Sequence, residues 1–253
     1  AMKMQNERID QLLVTAGHAG SRALAHRLIM AGAVRVDGRR VDKPGSRVAR
    51  DAPIEVAARP RFVGRGGHKL EAALDAFGIA VDGLLALDVG ASTGGFTDCL
   101  LQRGARRVVA LDVGHGQLHW KLRRDQRVVC VERCNARHLA ATDLPADCRT
   151  VDFLCADLSF ISLTMVLPSV LPRVRAGGQA VVLIKPQFEV GREQVGRGGI
   201  VRDESLRRQA VDRVRGFAQA AGRVEWSGHI DSPIRGADGN IEYLACLKIK
   251  QSE

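Results

Sequence analysis

Four residues of this 253-residue chain carry the chemistry that its sequence makes available. Asp157 closes an apolar run in Cys155-Ala156-Asp157-Leu158-Ser159-Phe160, and Lys185 closes another in Val182-Leu183-Ile184-Lys185-Pro186-Gln187-Phe188-Glu189. Lys69 follows Arg65-Gly66-Gly67-His68 at the opening of a helix, and Glu242 stands at the start of the last strand in Gly239-Asn240-Ile241-Glu242-Tyr243. A lysine ending a buried apolar strand is costly unless it is paired or functional. Lysines and carboxylates are also the residue types that hold and move protons. The expected topology lets all four converge at one sheet edge.

A second constellation adjoins them. Leu87-Asp88-Val89-Gly90-Ala91-Ser92-Thr93-Gly94-Gly95-Phe96-Thr97 reads as an apolar strand with an acid near its end, a glycine-rich turn and a helix start. Such a turn cradles a cofactor at the carboxyl edge of a parallel sheet. Its glycines let the backbone approach a ligand closely. The next strand ends Ala110-Leu111-Asp112-Val113, and an acid there accepts hydrogen bonds from ribose hydroxyls. The spacing is Gly-x-x-x-Gly-Gly, not the dinucleotide Gly-x-Gly-x-x-Gly. With Asp88 placed to anchor a positively charged ligand, the pattern favours S-adenosylmethionine. On local pattern alone a dinucleotide stays open. The expected contacts are Asp88, Gly90, Ala91, Ser92, Gly94, Gly95, Phe96, Asp112, Val113, Asn135 and Asp157.

The elements that must position these residues alternate in type. Strand-like runs at 84–90, 107–113, 128–132, 151–157 and 180–185 are separated by helical ones, which predicts a parallel sheet wrapped on both faces. After a helix over 203–221, strands at 223–230 and 241–249 suggest a terminal antiparallel hairpin. Before Arg65 the texture differs. Helices over 7–18 and 21–33 precede Val34-Arg35-Val36-Asp37-Gly38-Arg39-Arg40-Val41, a hairpin signal around Asp-Gly. Ile54-Glu55-Val56 closes this unit near Ala57. The domains are therefore expected at 1–57 and 65–253, with a linker over 58–64 containing Pro60.

Charge distinguishes the two parts. The formal net charge is +10, of which +5 lies in residues 1–60 and +5 in the remaining 193. A compact basic module points to a polyanion, most simply nucleic acid. The six cysteines are scattered and include no Cys-x-x-Cys pair. They suggest core packing in a reducing compartment, and no metal site is expected. No apolar run approaches the ~20 residues of a membrane helix.

The N-terminal unit resembles the small RNA-binding domain (the alpha-L motif) first known from ribosomal proteins. The matching features are Arg8-Ile9-Asp10-Gln11-Leu12-Leu13, Ser21-Arg22 and Gly32-Ala33-Val34-Arg35-Val36-Asp37-Gly38. By position, Arg8, Arg22 and Lys43 are the expected phosphate contacts. The whole chain resembles the TlyA family, once called haemolysins. The matching strings are Arg65-Gly66-Gly67-His68-Lys69-Leu70, Asp88 to Asp98, Ala156-Asp157-Leu158-Ser159-Phe160-Ile161-Ser162-Leu163 and Lys185-Pro186-Gln187-Phe188-Glu189. Relatives often carry Ser where this chain has Gly64.

That resemblance implies a Rossmann-like class I S-adenosylmethionine-dependent methyltransferase domain behind a small α+β RNA-binding domain. The sheet would be seven-stranded, mostly parallel, with a terminal antiparallel hairpin. The implied activity is methylation of a cytidine ribose 2'-hydroxyl in ribosomal RNA, and the partners are ribosomal RNA or subunits, in the cytoplasm. No obligate protein partner is evident. The Lys-Asp-Lys-Glu tetrad of the wider FtsJ group maps onto Lys69, Asp157, Lys185 and Glu242. Lys185 would act as a neutral general base, or stay charged beside the developing alkoxide. Lys69 and Glu242 would orient the ribose, and Arg65, Arg133 and Arg137 would extend the phosphate track. Short flanks around the domains lean toward the large subunit alone.

Further expectations concern neighbouring segments. Residues 191–199 read as a lid that orders on RNA, or as an idle loop. Phe188 and Phe160 are candidates for base stacking, with core packing favoured for Phe160. A base methyltransferase is the nearest rival, but the Asn/Asp-Pro-Pro-aromatic turn of amine-directed enzymes is missing at Asp157. A membrane-lytic protein and an inert RNA-binding scaffold fit less well.

Overall fold

The computed structural model describes residues 6–30, 32–57, 61–220, 222–236 and 238–251. The chain forms two compact units, Ala1–Arg61 and Phe62–Glu253.

In the first unit, β1 (Asn6–Arg8) leads into α1 (Ile9–Thr15), followed by α2 (Arg22–Met30). Then come β2 (Val34–Val36), β3 (Arg39–Arg40), β4 (Arg47–Ala49) and β5 (Ile54–Val56). Strand β1 pairs antiparallel with β4, while β3, β2 and β5 form a second antiparallel sheet. Ile9, Leu13, Ala25, Leu28, Ile29, Val34 and Val36 make the core. The first helix is shorter than its expected 7–18 because Asn6–Arg8 is taken up by β-pairing and the chain turns at Gly17.

Asp10 is buried inside this unit although it is an acid. Two guanidinium groups make that possible. Arg8 donates to both carboxylate oxygens at 3.0 Å, and Arg22 donates to Oδ2 at 2.8 Å. Both arginines stay substantially exposed, so the acid holds them side by side at the surface. Lys43 is also exposed.

The second unit opens with α3 (Gly66–Ala76), β6 (Leu85–Val89), α4 (Gly95–Gln102), β7 (Arg107–Leu111), α5 (Trp120–Arg123) and β8 (Val128–Val131). It continues through β9 (Val151–Ala156), α6 (Leu163–Val170), β10 (Val174–Ile184), α7 (Pro186–Glu189), α8 (Glu204–Ala220), β11 (Val224–Asp231) and β12 (Tyr243–Ile249). The sheet order is β11-β12-β10-β9-β6-β7-β8. Strands β10, β9, β6, β7 and β8 run parallel, whereas β12 lies antiparallel between β10 and β11. The last strand is thus inserted, not added at the edge. The buried run of β12 fits this, since a strand apolar on both faces suits the interior of a sheet covered on both sides.

Chain order reverses beside β6, whose neighbours are β7 on one side and β9 on the other. Ligands of open α/β sheets bind at such a switch point, outside the carboxyl ends of the strands. Of the expected linker, residues 58–60 lie outside the described residues. Phe62 is not linker at all: it is buried in the core of the second unit, and the Val63 N–H donates to Asp98 Oδ2 at 2.8 Å. An aromatic two residues after Pro60 read as connection, but its apolar area is used for packing.

The charge pairing in the first unit sets an acid limit. Arg8 and Arg22 hold the Asp10 carboxyl well below the usual carboxylate range. The folded value lies below the unfolded one, so this stabilisation is complete above about pH 4 and is lost as pH falls further. Thermal melting followed by backbone amide shifts of residues 9–29 is expected to fall between pH 4 and 2. In Asp10→Asn it starts lower and changes little over that range.

Candidate active site

The cofactor turn follows from two close approaches of backbone to backbone. Gly90 has φ +83°, and a Cβ there would stand 2.5 Å from the Asp157 carbonyl oxygen. Strands β6 and β9 can therefore end side by side, with the Asp157 N–H donating to Val89 O at 3.0 Å. Gly95, the first residue of α4, packs against the start of α3. A Cβ there would lie 2.9 Å from Gly67 N and 3.2 Å from Gly66 Cα. This brings the first turn of α3, and Lys69 on it, next to the cofactor turn.

Two cavities meet at Gly90, Ser92, Asp157 and Ser159. One, of about 500 Å³, is walled by Leu111, Asp112, Val113, Asn135, Ala136, Arg137, Leu158, Phe160, Ile161 and Val166, among others. The other, of about 320 Å³, is lined by Arg65, Gly66, Lys69, Ala91, Gly95, Phe96, Lys185, Ile234, Arg235 and Glu242, among others. All four residues of the tetrad therefore face one cavity.

They face it as two ion pairs. Lys69 Nζ lies 2.5 Å from Glu242 Oε2, and both side chains are almost fully buried. Lys185 Nζ lies 2.6 Å from Asp157 Oδ1 and donates to Ser159 Oγ at 2.8 Å. Lys185 follows β10 directly and Glu242 immediately precedes β12, so their paired registers bring the two residues to the same edge. An isolated buried charge is prohibitively costly, and pairing is what lets both lysines sit here.

The larger cavity suits an adenosine. Its apolar walls fit a flat base, and Asp112 supplies the polar end. Asp112 accepts the Ser92 N–H at 2.8 Å and the Gly114 N–H at 2.7 Å, one on each oxygen. Each carboxylate oxygen keeps a further lone pair for a ribose hydroxyl. Val113 and Asn135 are exposed at the rim.

Asp88 lies beneath the turn and lines neither cavity. It is completely buried, its Oδ2 accepts from the Thr97 hydroxyl at 2.7 Å, and its Oδ1 has no partner. That orphaned oxygen leaves Asp88 one free acceptor beneath the turn. Thr97, Ser159 and Arg235 were not singled out in the sequence. Thr97 stands one turn into the helix after the double glycine, and Ser159 two residues past Asp157, spacings that could have flagged both.

Other expectations change here. Phe160 is 91% exposed and holds φ +65°, with its ring 5.4 Å from that of Phe188. Core packing was the wrong expectation: the chain turns over the cavity rim at this point and directs the ring outward. The segment 191–199 is tied down at its far end. Buried Asn240 donates to Gly199 O at 2.8 Å and accepts from the Val201 N–H at 2.9 Å. Arg65, Arg133 and Arg137 are exposed, with Arg65 and Arg137 on the cavity walls. Cys99, Cys148, Cys155 and Cys246 are buried, while Cys130 is exposed and Cys134 half-buried. Among the described residues, no helix is long and apolar enough to cross a membrane.

Comparison with known proteins agrees with this geometry. Residues 62–249 match the FtsJ-like methyltransferase family, and residues 7–54 match the S4 domain. YqxC of Bacillus subtilis, which carries an rRNA-methyltransferase name, is 46% identical over 97% of this chain and 87% of its own length. The 16S/23S rRNA (cytidine-2'-O)-methyltransferase TlyA of Mycobacterium tuberculosis is 48% identical over 95% of this chain and 89% of its own. A solved structure described as a hemolysin from Streptococcus thermophilus superposes with a TM-score of 0.74 at 43% identity, covering 98% of this chain and 90% of that one.

Burial pushes the Asp88 carboxyl up to about 7, with the Thr97 hydrogen bond opposing and the Asp157 charge adding to the rise. The folded value lies above the unfolded one, so ionising Asp88 penalises the fold as pH climbs from about 4 to 7. The melting temperature of cofactor-free protein is expected to fall across that window. Asp88→Asn is expected to flatten the decline and to melt higher than wild type at pH 8, which calorimetry at stepped pH values checks.

Proposed function

Because the chain belongs to the FtsJ-like methyltransferase family, among its TlyA members, we propose that it methylates the 2'-hydroxyl of a cytidine ribose in ribosomal RNA, with S-adenosylmethionine as donor. The observation that carries this reading is the pair of lysine–carboxylate contacts facing one cavity beside an adenosine-shaped one. S-adenosylmethionine supplies a methyl group on a sulfonium, which departs as a neutral thioether. Asp112, Val113 and Asn135 hold its ribose and base, and the backbone from Gly90 to Phe96 holds the remainder.

The chain must supply alignment and a place for one proton. A ribose hydroxyl is a weak acid, and its oxygen becomes a good nucleophile only as that proton leaves. Lys185 is the group that takes it. At rest its ammonium is engaged by Asp157 and Ser159, so the reactive amine forms once that proton is shed. Asp157 and Ser159 then aim the amine. Lys69, fixed by Glu242, orients the ribose from the other wall. Holding the nucleophile in line is worth several powers of ten by itself.

RNA recognition falls to the basic surfaces. Arg8 and Arg22, presented together by Asp10, and Lys43 contact phosphates from the S4 domain. Arg65, Arg133 and Arg137 do so around the cleft. Phe160 and Phe188 offer aromatic faces at its rim for a base splayed from the stack, the usual way RNA nucleotides become accessible to an enzyme. One relative is named for both 16S and 23S RNA and another for 23S RNA alone, so both subunits are substrates to test. Such a substrate supports a cytoplasmic location.

The test uses purified ribosomal subunits in single turnover, with methylated positions mapped on each RNA. Lys185→Ala is expected to slow transfer by about 10²–10⁴-fold. The wild-type rate should climb with pH, because only a neutral base can accept the ribose proton. A rate flat between pH 6 and 9 would make Lys185 a fixed ammonium beside the developing alkoxide. A fully active Lys185→Ala would refute the assignment. Removing Arg8, Arg22 or Lys43 one at a time should weaken RNA binding and lower the slope of log affinity against log salt by about one each, as measured by filter binding.

A further inference from the structure

Glu189 is buried, at 2% exposure, yet it belongs to neither charge pair of the cleft. Its Oε1 accepts from the Leu163 N–H at 2.7 Å, and its Oε2 accepts from the Ser162 hydroxyl at 2.6 Å. Ser162 is the N-cap of α6 and Leu163 its first residue. The carboxylate thus sits where a helix offers unpaired amides and the positive end of its dipole. From the other side, the Glu189 backbone carbonyl accepts from Arg213 on α8 at 2.8 Å. The residue is therefore fixed at both its side chain and its main chain.

What lies between these anchor points must keep its spacing. Asp157 to Ile161 are the residues leading into Ser162, and Lys185 is four residues before Glu189. The lysine bridges the two turns, reaching both Asp157 and Ser159. A lysine cannot set that spacing itself, because its stem is flexible. The turn also contains Phe160 in a left-handed backbone, a conformation that a phenylalanine keeps only where its surroundings impose it. The Glu189 clamp is a direct hydrogen-bonded tie between the two turns besides the lysine's own contacts.

We infer that Glu189 is a positioning residue whose carboxylate clamps the 157–163 turn to the 185–189 turn and so sets the geometry in which Lys185 meets Asp157 and Ser159. The kinetic consequence rests on the methyl-transfer reading; the clamp itself does not. Glutamine preserves the clamp, since its carbonyl accepts from Leu163 and its amide donates to the Ser162 oxygen. Alanine removes it and strands a buried amide. Aspartate keeps the charge but is one methylene too short to reach both donors.

The experiment takes full-length wild type, Glu189→Gln, Glu189→Asp and Glu189→Ala. It measures hydrogen exchange across 157–163, and single-turnover methylation of ribosomal subunits at saturating S-adenosylmethionine. In Glu189→Ala, exchange should quicken by about tenfold or more as the local opening becomes easier. Its rate at saturating RNA should drop by about 30-fold or more, while half-saturation by RNA moves by less than about threefold, the mark of lost alignment. Glu189→Gln should stay within about threefold of wild type on every measure, and Glu189→Asp should fall between. If the alanine variant does not fold, the aspartate and glutamine pair decides. Unchanged exchange in the alanine or aspartate variant, an unchanged rate despite faster exchange, or a glutamine variant as impaired as alanine would overturn the inference. Wild type that fails to methylate either subunit would instead overturn the functional reading, and the exchange comparison would still judge the clamp.

Discussion

Taking an ammonium and a carboxylate out of water costs several kcal/mol per ion, and the interior returns that only when the two are held close and their remaining hydrogen bonds are met. The second unit accepts this cost in full for Lys69 against Glu242 and in part for half-buried Lys185 against Asp157, at one sheet edge. Everything else about the cleft follows from needing both pairs there. Strand β12 has to lie beside β10 so that Glu242 and Lys185 emerge together. Helix α3 has to begin against the cofactor turn so that Lys69 reaches them. A pair deprived of one partner would leave an uncompensated buried charge, so the four residues stand as a unit.

The same edge carries a third acid, and among the described residues this one has no cationic partner. Asp88 is sealed below the Gly90 turn with one oxygen bonded to Thr97 and the other to nothing. It opposes stability when ionised, and groups perturbed in this way cluster at functional sites. The donor site is thus polar below, apolar along its base-sized wall, and capped by glycines that bring main chain to the ligand. That division of labour suits a small cationic cofactor better than a pyrophosphate.

Much of this could be read from sequence because the signals were local. Asp157 and Lys185 stand out as charges ending apolar runs, and Asp112 as an acid ending the next strand after a glycine turn. The parallel sheet follows from the alternation of strand and helix. The less legible features depend on non-local geometry. Asp10 looks like an ordinary helical acid until the fold brings Arg22 back onto it. Phe160 reads as core by type, but its left-handed backbone turns it outward. Glu189 belongs to a recognisable string, yet its role appears only when the fold brings Ser162 and Leu163 onto it. The insertion of β12 depends on sheet order, which no single segment encodes.

The central claim is that this cleft presents a ribose hydroxyl, not a base atom, to the methyl donor. The most direct measurement is to incubate undermethylated ribosomal subunits with the protein and isotopically labelled S-adenosylmethionine, digest the RNA to nucleosides, and identify the labelled product by mass. The account predicts label in 2'-O-methylcytidine alone. Label on a methylated base, or none in RNA, would contradict it.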